Sequence, residues 1–342
     1  MNYAIILAGG IGSRFWPLSS DSEPKQFLPV YSSKPMLKET IERIAHFIKK
    51  KNTYVAANAK HRGKINTCLK GAGIKTENIF FEPRGKNTFA PIAYLAQRIQ
   101  KIDPEAVISI LPCDHVIQNN KKFLQYLAVA NKIADRQRAI VTFGIKPKRP
   151  ETGYGYIKIK SQVLNSKSQN YFSVEKFVEK PDEKRAKEYI KDGRYYWNSG
   201  IFIFRADLIL SEIAKLQPQA FKDLNKSLAL KCLWEKLPTI SIDYAIMEKT
   251  KKIALLPVQY GWIDLGSWQA IEEIMKKDKN GNIFKGDCVD IGSKNTLVWS
   301  SCRKVATVGL KDTVIVETKD AILVCAKGQT QAVKQIAQKI KK

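Results

Sequence analysis

The chain has 342 residues, 44% of them hydrophobic and 26% charged, which is ordinary for a globular protein and excludes a disordered or fibrous class. No apolar run is long enough for a membrane-spanning helix and no secretory signal pattern follows Met1, so we expect a cytosolic protein. The six cysteines lie far apart without a C-x-x-C pair, and they predict neither a zinc site nor a disulfide framework.

The net charge is the unusual bulk property, because 58 lysines and arginines against 32 acidic residues give +26. A charge this high attracts nucleic acid, anionic membranes or phosphorylated substrates. The lysines are nevertheless spread along the whole chain, in pairs such as 121–122, 251–252 and 341–342, and form no dense basic arm. We therefore interpret the charge as solvated surface lysine. A nucleic-acid-binding protein, the weaker alternative, would bind DNA or RNA in a salt-sensitive way.

The first part of the chain alternates short apolar runs with segments of helical periodicity. The predicted strands are 4–7, 53–57, 79–81, 106–111 and 140–143, and the predicted helices are 36–48, 61–72, 91–102 and 123–134. This alternation is typical of βαβ units, so we predict an α/β fold with a doubly wound, Rossmann-like mixed sheet. Ligands of such sheets bind beyond the carboxyl ends of the strands, which is where chemistry is to be sought.

From residue 150 the pattern changes. The predicted strands are 154–159, 174–177 and 200–204, followed by helices at 206–216 and 242–248 and then by short β segments at 305–310, 313–317 and 321–325 and a basic helix from Gln329. We predict a catalytic domain over 1–283, with an inserted substrate lobe at about 150–250, and a small β-rich domain over 284–342. The sequence leaves the oligomeric state open, and the β-rich domain offers a contact surface for a homodimer.

A glycine-rich loop follows the first strand, reading Leu-Ala-Gly-Gly-Ile-Gly-Ser-Arg over 7–14. Three glycines in four positions let the backbone turn sharply and point its N–H groups at an anion, so we predict a phosphate site. The candidate nucleotide-binding residues are Leu7, Ala8, Gly9, Gly10, Gly12 and Ser13. The dinucleotide pattern fails because Phe15 replaces its last glycine, and the Walker A pattern fails because no Gly-Lys-Ser/Thr follows. Arg14 and Lys25 bring two cations to the same anion; the alternative is a structural turn with solvated cations.

Two carboxylates are candidate metal ligands. Asp114 directly follows the strand at 106–111, where it can hold Mg²⁺ against triphosphate oxygens, and Asp264 is the best second acid. We interpret Asp243 as a residue at a helix N-terminus rather than a metal ligand. His115 adjoins Asp114 and is interpreted as a structural or orienting residue rather than a general base.

Several segments resemble the sugar-nucleotidyltransferase family, whose signature is a glycine-rich loop with arginine followed by Pro-Lys. Residues 14–19 read Arg-Phe-Trp-Pro-Leu-Ser, and residues 24–28 read Pro-Lys-Gln-Phe-Leu. Counterparts follow in chain order at 82–88, 111–115, 150–157, 177–181, 197–202, 241–244 and 262–268. Within the family the match is most specific to guanylyltransferases that act on mannose 1-phosphate. It covers about residues 3–275 and, more weakly, the β-rich tail. The phosphomannose isomerase domain fused to many relatives is missing, so no isomerase activity is expected.

The resemblance implies a fold of the nucleotide-diphospho-sugar transferase type and a Mg²⁺-assisted reaction of GTP with α-D-mannose 1-phosphate. Arg14 and Lys25 would act on the departing pyrophosphate and Lys180 on the sugar phosphate. The remaining implied roles are nucleobase binding by Gly85, Asn87 and Thr88, and sugar binding by Gly153, Glu179 and Asn198. Three positions depart from the family pattern, namely Lys86 for arginine, Cys113 for alanine and Lys148 for threonine. A sister transferase with another base or sugar would share these motifs. A catalytically silent subunit would tolerate loss of Lys25, Asp114 or Asp264, and all three are present.

Overall fold

The structure is a computed structural model that describes residues 1–10, 12–165 and 170–340, with the side chains of 161–165 left out. Ile11 of the glycine-rich loop and the lysine pair at 341–342 therefore lie outside the described residues. The chain forms two compact units. The first unit contains Met1–Gly9, Lys38–Cys113 and Ile117–Trp262, and the second contains Gly10–Leu37, Asp114–Val116 and Ile263–Lys342.

The described residues form seventeen strands and ten α-helices. The strands are β1 (Asn2–Ala8), β2 (Thr53–Asn58), β3 (Ile79–Glu82), β4 (Val107–Pro112), β5 (His115–Ile117), β6 (Ile140–Ile145), β7 (Tyr156–Asn165), β8 (Asn170–Val178), β9 (Tyr195–Arg205), β10 (Ile253–Pro257), β11 (Trp262–Asp264), β12 (Ile283–Lys285), β13 (Cys288–Ile291), β14 (Leu297–Ser300), β15 (Val305–Val308), β16 (Thr313–Glu317) and β17 (Ile322–Ala326). The helices are α1 (Met36–Ile44), α2 (Arg62–Leu69), α3 (Phe89–Ile102), α4 (Asn120–Gln137), α5 (Glu183–Asp192), α6 (Ala206–Leu216), α7 (Pro218–Leu224), α8 (Leu230–Lys236), α9 (Trp268–Ile274) and α10 (Val333–Ile340).

The first unit is built on a nine-stranded mixed sheet with the order β3-β2-β1-β4-β9-β6-β10-β8-β7. β1 pairs in parallel with β2 and β4, whereas β9 runs antiparallel between β4 and β6. Tyr3 to Ile6 are all buried, as expected for a parallel strand covered on both faces. Gly9 follows β1 and Glu82 ends β3, so both lie at the carboxyl edge of the sheet. α3 and α6 pack together and contribute to the large apolar core of this unit.

The second unit holds the β-rich region. The chain alternates between two sheets there, because β12, β14 and β16 pair in parallel in one sheet while β13 and β15 pair in parallel in the other. β17 adds antiparallel to β16. We call residues 283–326 the β-coil. Its inward side chains, including Leu297, Trp299 and Val316, share one apolar core with residues outside the coil, including Phe15, Leu28, Trp268 and Val333.

The α/β class with a β-rich end is confirmed, and each predicted strand and helix of the first 145 residues has a counterpart within a few residues. Predictions erred at element ends and in the second half. The predicted helix 242–248 is a π-helix over Asp243–Met247, and the last helix begins at Val333 after a 3₁₀ segment, Lys327–Ala332. None of the described helices combines the length and apolar character needed to cross a bilayer.

Candidate functional site

The glycine-rich loop continues as a 3₁₀ turn, Ser13–Phe15, that opens on Gly12. Gly12 has φ 73°, in the left-handed region that favours glycine. A Cβ on Gly12 would lie 2.7 Å from the Cβ of Lys25, so the missing side chain is what lets Lys25 pack against the loop. The carbonyl oxygen of Gly12 accepts hydrogen bonds from the Phe15 N–H and the Ser19 hydroxyl. The turn from Gly12 to Phe15 is therefore held by hydrogen bonds and by Lys25, and it carries Arg14 in the second unit.

Lys25 is almost fully buried, with 6% of its surface exposed. Its Nζ lies 2.8 Å from Asp114 Oδ2 and also donates to the carbonyl oxygen of Leu265. A buried ammonium needs such partners, because an unpaired charge away from water is costly. Sequence reasoning assigned Lys25 to phosphate and Asp114 to metal, and the structure brings the two side chains into direct contact.

Asp114, His115 and Asp264 form a cluster in which one possible ligand atom from each residue lies within 4.8 Å of the others. Burial and the charge of Asp114 raise the pKa of Asp264. Burial also opposes the charge of Asp114, but the ammonium of Lys25 outweighs it and lowers the pKa of Asp114 to about 2. The neighbouring cations therefore keep Asp114 ionised but do not offset the burial of Asp264 and its repulsion by Asp114. A divalent cation, which prefers carboxylate oxygens, fits this donor set.

Arg14 is half-buried in the turn, and its positive charge opposes part of the rise in the pKa of Asp264. Arg14, Lys25, Asp114 and Asp264 thus belong to one electrostatic cluster of the second unit. Such a set of two cations and two acids can hold a metal-bound triphosphate.

In the first unit, Glu82 is a buried acid that was not among the candidate site residues. Its carboxyl group would lie 3.6 Å from a Cβ on Gly9. Burial raises the pKa of Glu82 to about 7, although an N–H donated by Lys86 opposes this. An acidic side chain at the sheet edge, 5% exposed, has no purpose in packing. The signal that could have found it is its position as the last residue of β3.

In the segment after Glu82, some residues are exposed and others form hydrogen bonds that hold the segment in place. Asn87 has φ 62°, a strained value for a non-glycine residue, and its Oδ1 accepts from the N–H of Thr88. The Thr88 hydroxyl accepts from the N–H of Ile242, and Gly85 is exposed. Lys86 is buried and its ammonium donates to the carbonyl oxygens of Glu235 and Leu237. Lys86, which replaces the arginine of the family pattern, therefore anchors this segment to the end of α8.

A second cluster of the first unit gathers Glu179, Lys180, Asn198 and Asp243. The ammonium of Lys180 pairs with Glu179 Oε1, and Lys180 has φ 49°, again left-handed. Burial opposes the charge of Lys180, but the bond to Glu179 outweighs it, and the pKa of Lys180 rises. The other oxygen of Glu179, Oε2, is buried and has no hydrogen-bond partner among the described residues. This cluster presents a cation and an acceptor oxygen, which are what a sugar phosphate requires.

The amide of Asn198 is held on three sides. Its Oδ1 accepts from the Thr142 hydroxyl and the Gly200 N–H, and its Nδ2 donates to Asp243 Oδ1 at 3.1 Å. Burial and the charge of Glu179 raise the pKa of Asp243 to about 7. Asp243 thus orients Asn198. It is the first residue of the π-helix, in agreement with its interpretation as a residue at a helix N-terminus, and it lies outside the cluster of Asp114, His115 and Asp264.

Gly155, which was not among the candidates, is the glycine that the second cluster needs. A Cβ on Gly155 would lie 2.5 Å from Glu179 Oε2 and 3.3 Å from Asn198 Cβ. The predicted Gly153 instead donates its N–H to Glu151 Oε1 at 3.1 Å. Of the first-strand candidates, Gly9 and Gly10 are exposed and Ser13 is half-buried, whereas Ala8 is fully buried and the Leu7 carbonyl accepts from the Cys113 N–H.

Comparison with known proteins gives concordant results. A family model described as nucleotidyl transferase matches residues 3–281, and one described as the MannoseP isomerase/GMP-like beta-helix domain matches residues 286–340. The chain is 38% identical to mannose-1-phosphate guanylyltransferase 2 of Escherichia coli O157:H7, over 99% of this chain and 73% of that protein. It is 39% identical to the alginate biosynthesis protein AlgA of Pseudomonas syringae pv. tomato, over 97% of this chain and 70% of that protein.

A solved structure is similar over the whole chain. The mannose-1-phosphate geranyltransferase of Thermus thermophilus, as that structure is titled, superposes with a TM-score of 0.89 at 29% identity, covering 100% of this chain and 99% of that one. A UDP-glucose pyrophosphorylase structure, 16% identical with a TM-score of 0.50, shares the fold.

Proposed function

The chain belongs to the nucleotidyl transferase family, and from that premise we propose that it transfers GMP from GTP to α-D-mannose 1-phosphate, giving GDP-mannose and pyrophosphate. The observation that carries this proposal is the buried contact between Lys25 and Asp114, beside Asp264 and the glycine-rich loop. A protein that only bound a nucleotide would not need a buried cation among two acids. We assign the chemistry to residues 1–283, with the sugar site in the lobe at about 150–250. The product would serve as a mannosyl donor for polysaccharide synthesis.

We assign recognition of the base to Glu82, together with the backbone of Gly85, Asn87 and Thr88. Guanine presents N–H donors at N1 and N2, and an ionised carboxylate accepts two such bonds. Adenine lacks this pair of donors, so it would leave a buried carboxylate unpaired. The position of Glu82 beside Gly9 supports this assignment.

Glu82→Gln should weaken the preference for GTP over ATP by about tenfold or more and at the same time stabilise the free protein at alkaline pH. The folded pKa of Glu82 is raised to about 7, so ionisation costs stability as pH rises from the unfolded pKa through 7. The neutral amide avoids this cost, on the order of 3 kcal/mol in full. Thermal unfolding at pH 8.5 and pH 5 measures it. A gain that is equal at both pH values would contradict the buried charge, and Glu77→Gln, an exposed acid, serves as control.

We assign the sugar phosphate to the second cluster. Lys180 would pair with its phosphate, and Glu179 and Asn198 would bind sugar hydroxyls. The strained backbone of Lys180 supports this, since left-handed non-glycine residues persist where function requires them.

Gly155→Ala should raise the KM for mannose 1-phosphate by about tenfold or more, because the added methyl group displaces the Glu179 carboxylate. The KM for GTP should change little. Gly153→Ala is the matched control, since its methyl group meets only the movable end of Glu151. Equal effects of the two substitutions in steady-state kinetics would refute the assignment of Gly155.

In the proposed reaction, a phosphate oxygen of mannose 1-phosphate attacks the α-phosphorus of GTP in line. The bond from the α-phosphorus to the oxygen that bridges it to the β-phosphorus breaks, and this oxygen leaves with pyrophosphate. Arg14 and Lys25 stabilise the charge that grows on the departing pyrophosphate, and Lys180 holds the attacking phosphate. No covalent enzyme intermediate is required. Positioning and electrostatic stabilisation supply most of the rate enhancement, as in other phosphoryl transfers.

We propose Mg²⁺ as the cofactor, held by Asp114 and Asp264. When bound, it would neutralise phosphate oxygens of the triphosphate. The fit rests on the donor set and on the shortage of positive charge around Asp264.

A substrate panel tests the proposed function. Pyrophosphate release is measured for GTP, ATP, UTP and dTTP with mannose 1-phosphate and glucose 1-phosphate, with and without Mg²⁺. We expect the highest kcat/KM for GTP with mannose 1-phosphate, and activity only with a divalent cation. A higher value for another pair would identify a sister transferase, and no release with any pair would reject catalysis.

A further inference from the structure

Trp268 links the glycine-rich loop with the β-coil. Its ring centroid lies 5.1 Å from that of Phe15 on one side and 5.9 Å from that of Trp299, a coil residue, on the other. Its indole N–H donates to the carbonyl oxygen of Trp16 at 3.1 Å. Trp268 is fully buried, and Trp299 is nearly so. Aromatic contacts of this kind fix relative positions more strictly than aliphatic packing.

Phe15 connects Trp268 with the two proposed catalytic cations, Arg14 and Lys25. It directly follows Arg14 in the chain, and the Nζ of Lys25 lies 5.6 Å from the centre of the Phe15 ring. The Phe15 N–H also closes the turn by donating to Gly12 at 2.8 Å. A shift of the Phe15 ring would therefore move Arg14 and Lys25 together.

The C-terminal helix supports the same turn. α10 packs against Ser13–Phe15, and among its described residues only Val333 and Ala337 are buried. These two residues are four positions apart and so share one face of the helix. Ala337 therefore lies on the buried face of α10, where its small side chain is compatible with close packing.

We propose that the β-coil and α10 hold the pyrophosphate site in its active geometry. Trp268, Trp299 and Ala337 are the positioning residues, and they act on Arg14 and Lys25. This inference rests on the proposed function and gives the β-rich region a role in it. The polar groups that meet the triphosphate are carried by the same apolar core as the coil. Loosening that core should weaken binding of GTP and pyrophosphate, while binding of the sugar phosphate stays unchanged.

The experiment uses three full-length variants. Trp268→Phe keeps an aromatic ring but removes the indole N–H that binds Trp16. Trp299→Phe loosens the contact from the coil side, and Ala337→Val crowds the contact with the turn. For each, we expect the KM for GTP and for pyrophosphate in the reverse reaction to rise about tenfold, with the KM for mannose 1-phosphate within twofold of wild type. The dissociation constant of GTP, measured by calorimetry without sugar phosphate, should rise in parallel.

The controls separate positioning from stability. Phe204→Leu, in the core of the first unit, should lower the thermal midpoint without raising the KM for GTP, because partial unfolding reduces only the active fraction. Val324→Ala, exposed on the coil, should change neither. Circular dichroism shows which variants fold, and Trp299→Phe and Ala337→Val, the milder changes, keep the test open if Trp268→Phe does not.

The outcomes are distinct. A KM for GTP within twofold of wild type in all folded positioning variants overturns the inference, whatever their thermal midpoints. A selective rise in the constants for GTP and pyrophosphate supports it. If the wild-type protein is inactive with every nucleotide and sugar phosphate, the proposed function fails instead, and GTP binding by calorimetry then still tests the positioning role.

Discussion

Replacement of Lys25 by alanine should lower turnover by about a hundredfold or more while leaving the fold intact. Lys25 is buried, and its ammonium contacts Asp114 and the carbonyl oxygen of Leu265. In the proposed reaction this preorganised ammonium stabilises the negative charge that grows on the departing pyrophosphate. The loss is measured as kcat at saturating GTP and mannose 1-phosphate, with circular dichroism to verify folding.

A second readout of the same variant separates a catalytic cation from a structural one. Without Lys25, a divalent cation no longer meets the repulsion of an ammonium beside Asp114. The nucleotide-free variant should therefore bind Mn²⁺ about tenfold more tightly than wild type, as followed by electron paramagnetic resonance. Lys34→Ala, an exposed lysine of the same unit, should change neither quantity. Near-normal turnover of Lys25→Ala would refute the assignment.

The sequence was most informative where local pattern decides structure. The run from Tyr3 to Ile6 is apolar because β1 is buried on both faces, and it could be predicted as such. The glycines after it reveal the loop because few other residues adopt the backbone of Gly12. Asp114 and Asp264, 150 residues apart in the numbering, each follow an apolar run, and this position alone made both of them candidate metal ligands.

What the sequence could not show depends on contacts between distant segments. Glu82 is the last residue of its strand, and only the folded sheet sets it beside Gly9. The need for Gly155 follows from the position of the Glu179 carboxylate, not from local backbone geometry. The sequence showed only that Lys86 departs from the family's arginine, whereas the structure shows that its ammonium donates to the carbonyl oxygens of Glu235 and Leu237. The link from Trp299 through Trp268 to Phe15 likewise joins three segments that no periodicity connects.

Asp264→Asn should reduce kcat/KM by about a thousandfold and yet stabilise the metal-free protein at neutral pH. Burial and Asp114 raise the pKa of Asp264. Its ionisation therefore costs stability, and this cost grows as pH rises from the unfolded pKa through the folded one. Asparagine has the same size without the charge, so the thermal midpoint without metal should rise at pH 7 and stay unchanged at pH 3.

Asp114→Asn should act in the opposite direction on stability. Lys25 lowers the pKa of Asp114 to about 2, so its charge stabilises the fold at pH 7, and this contribution is lost as pH falls toward 2. Its replacement should lower the metal-free thermal midpoint at pH 7 and also abolish turnover. In both variants the rise of the midpoint on adding Mg²⁺, seen in wild type, should disappear, whereas Asp320→Asn, an exposed acid of the same unit, should keep it. If Asp114 and Asp264 form a metal site in which Lys25 neutralises Asp114 in the absence of metal, the two substitutions should have opposite effects on stability and the same effect on activity. A simple ion pair would give a loss of stability from Asp114→Asn alone, with Mg²⁺ without effect on any variant.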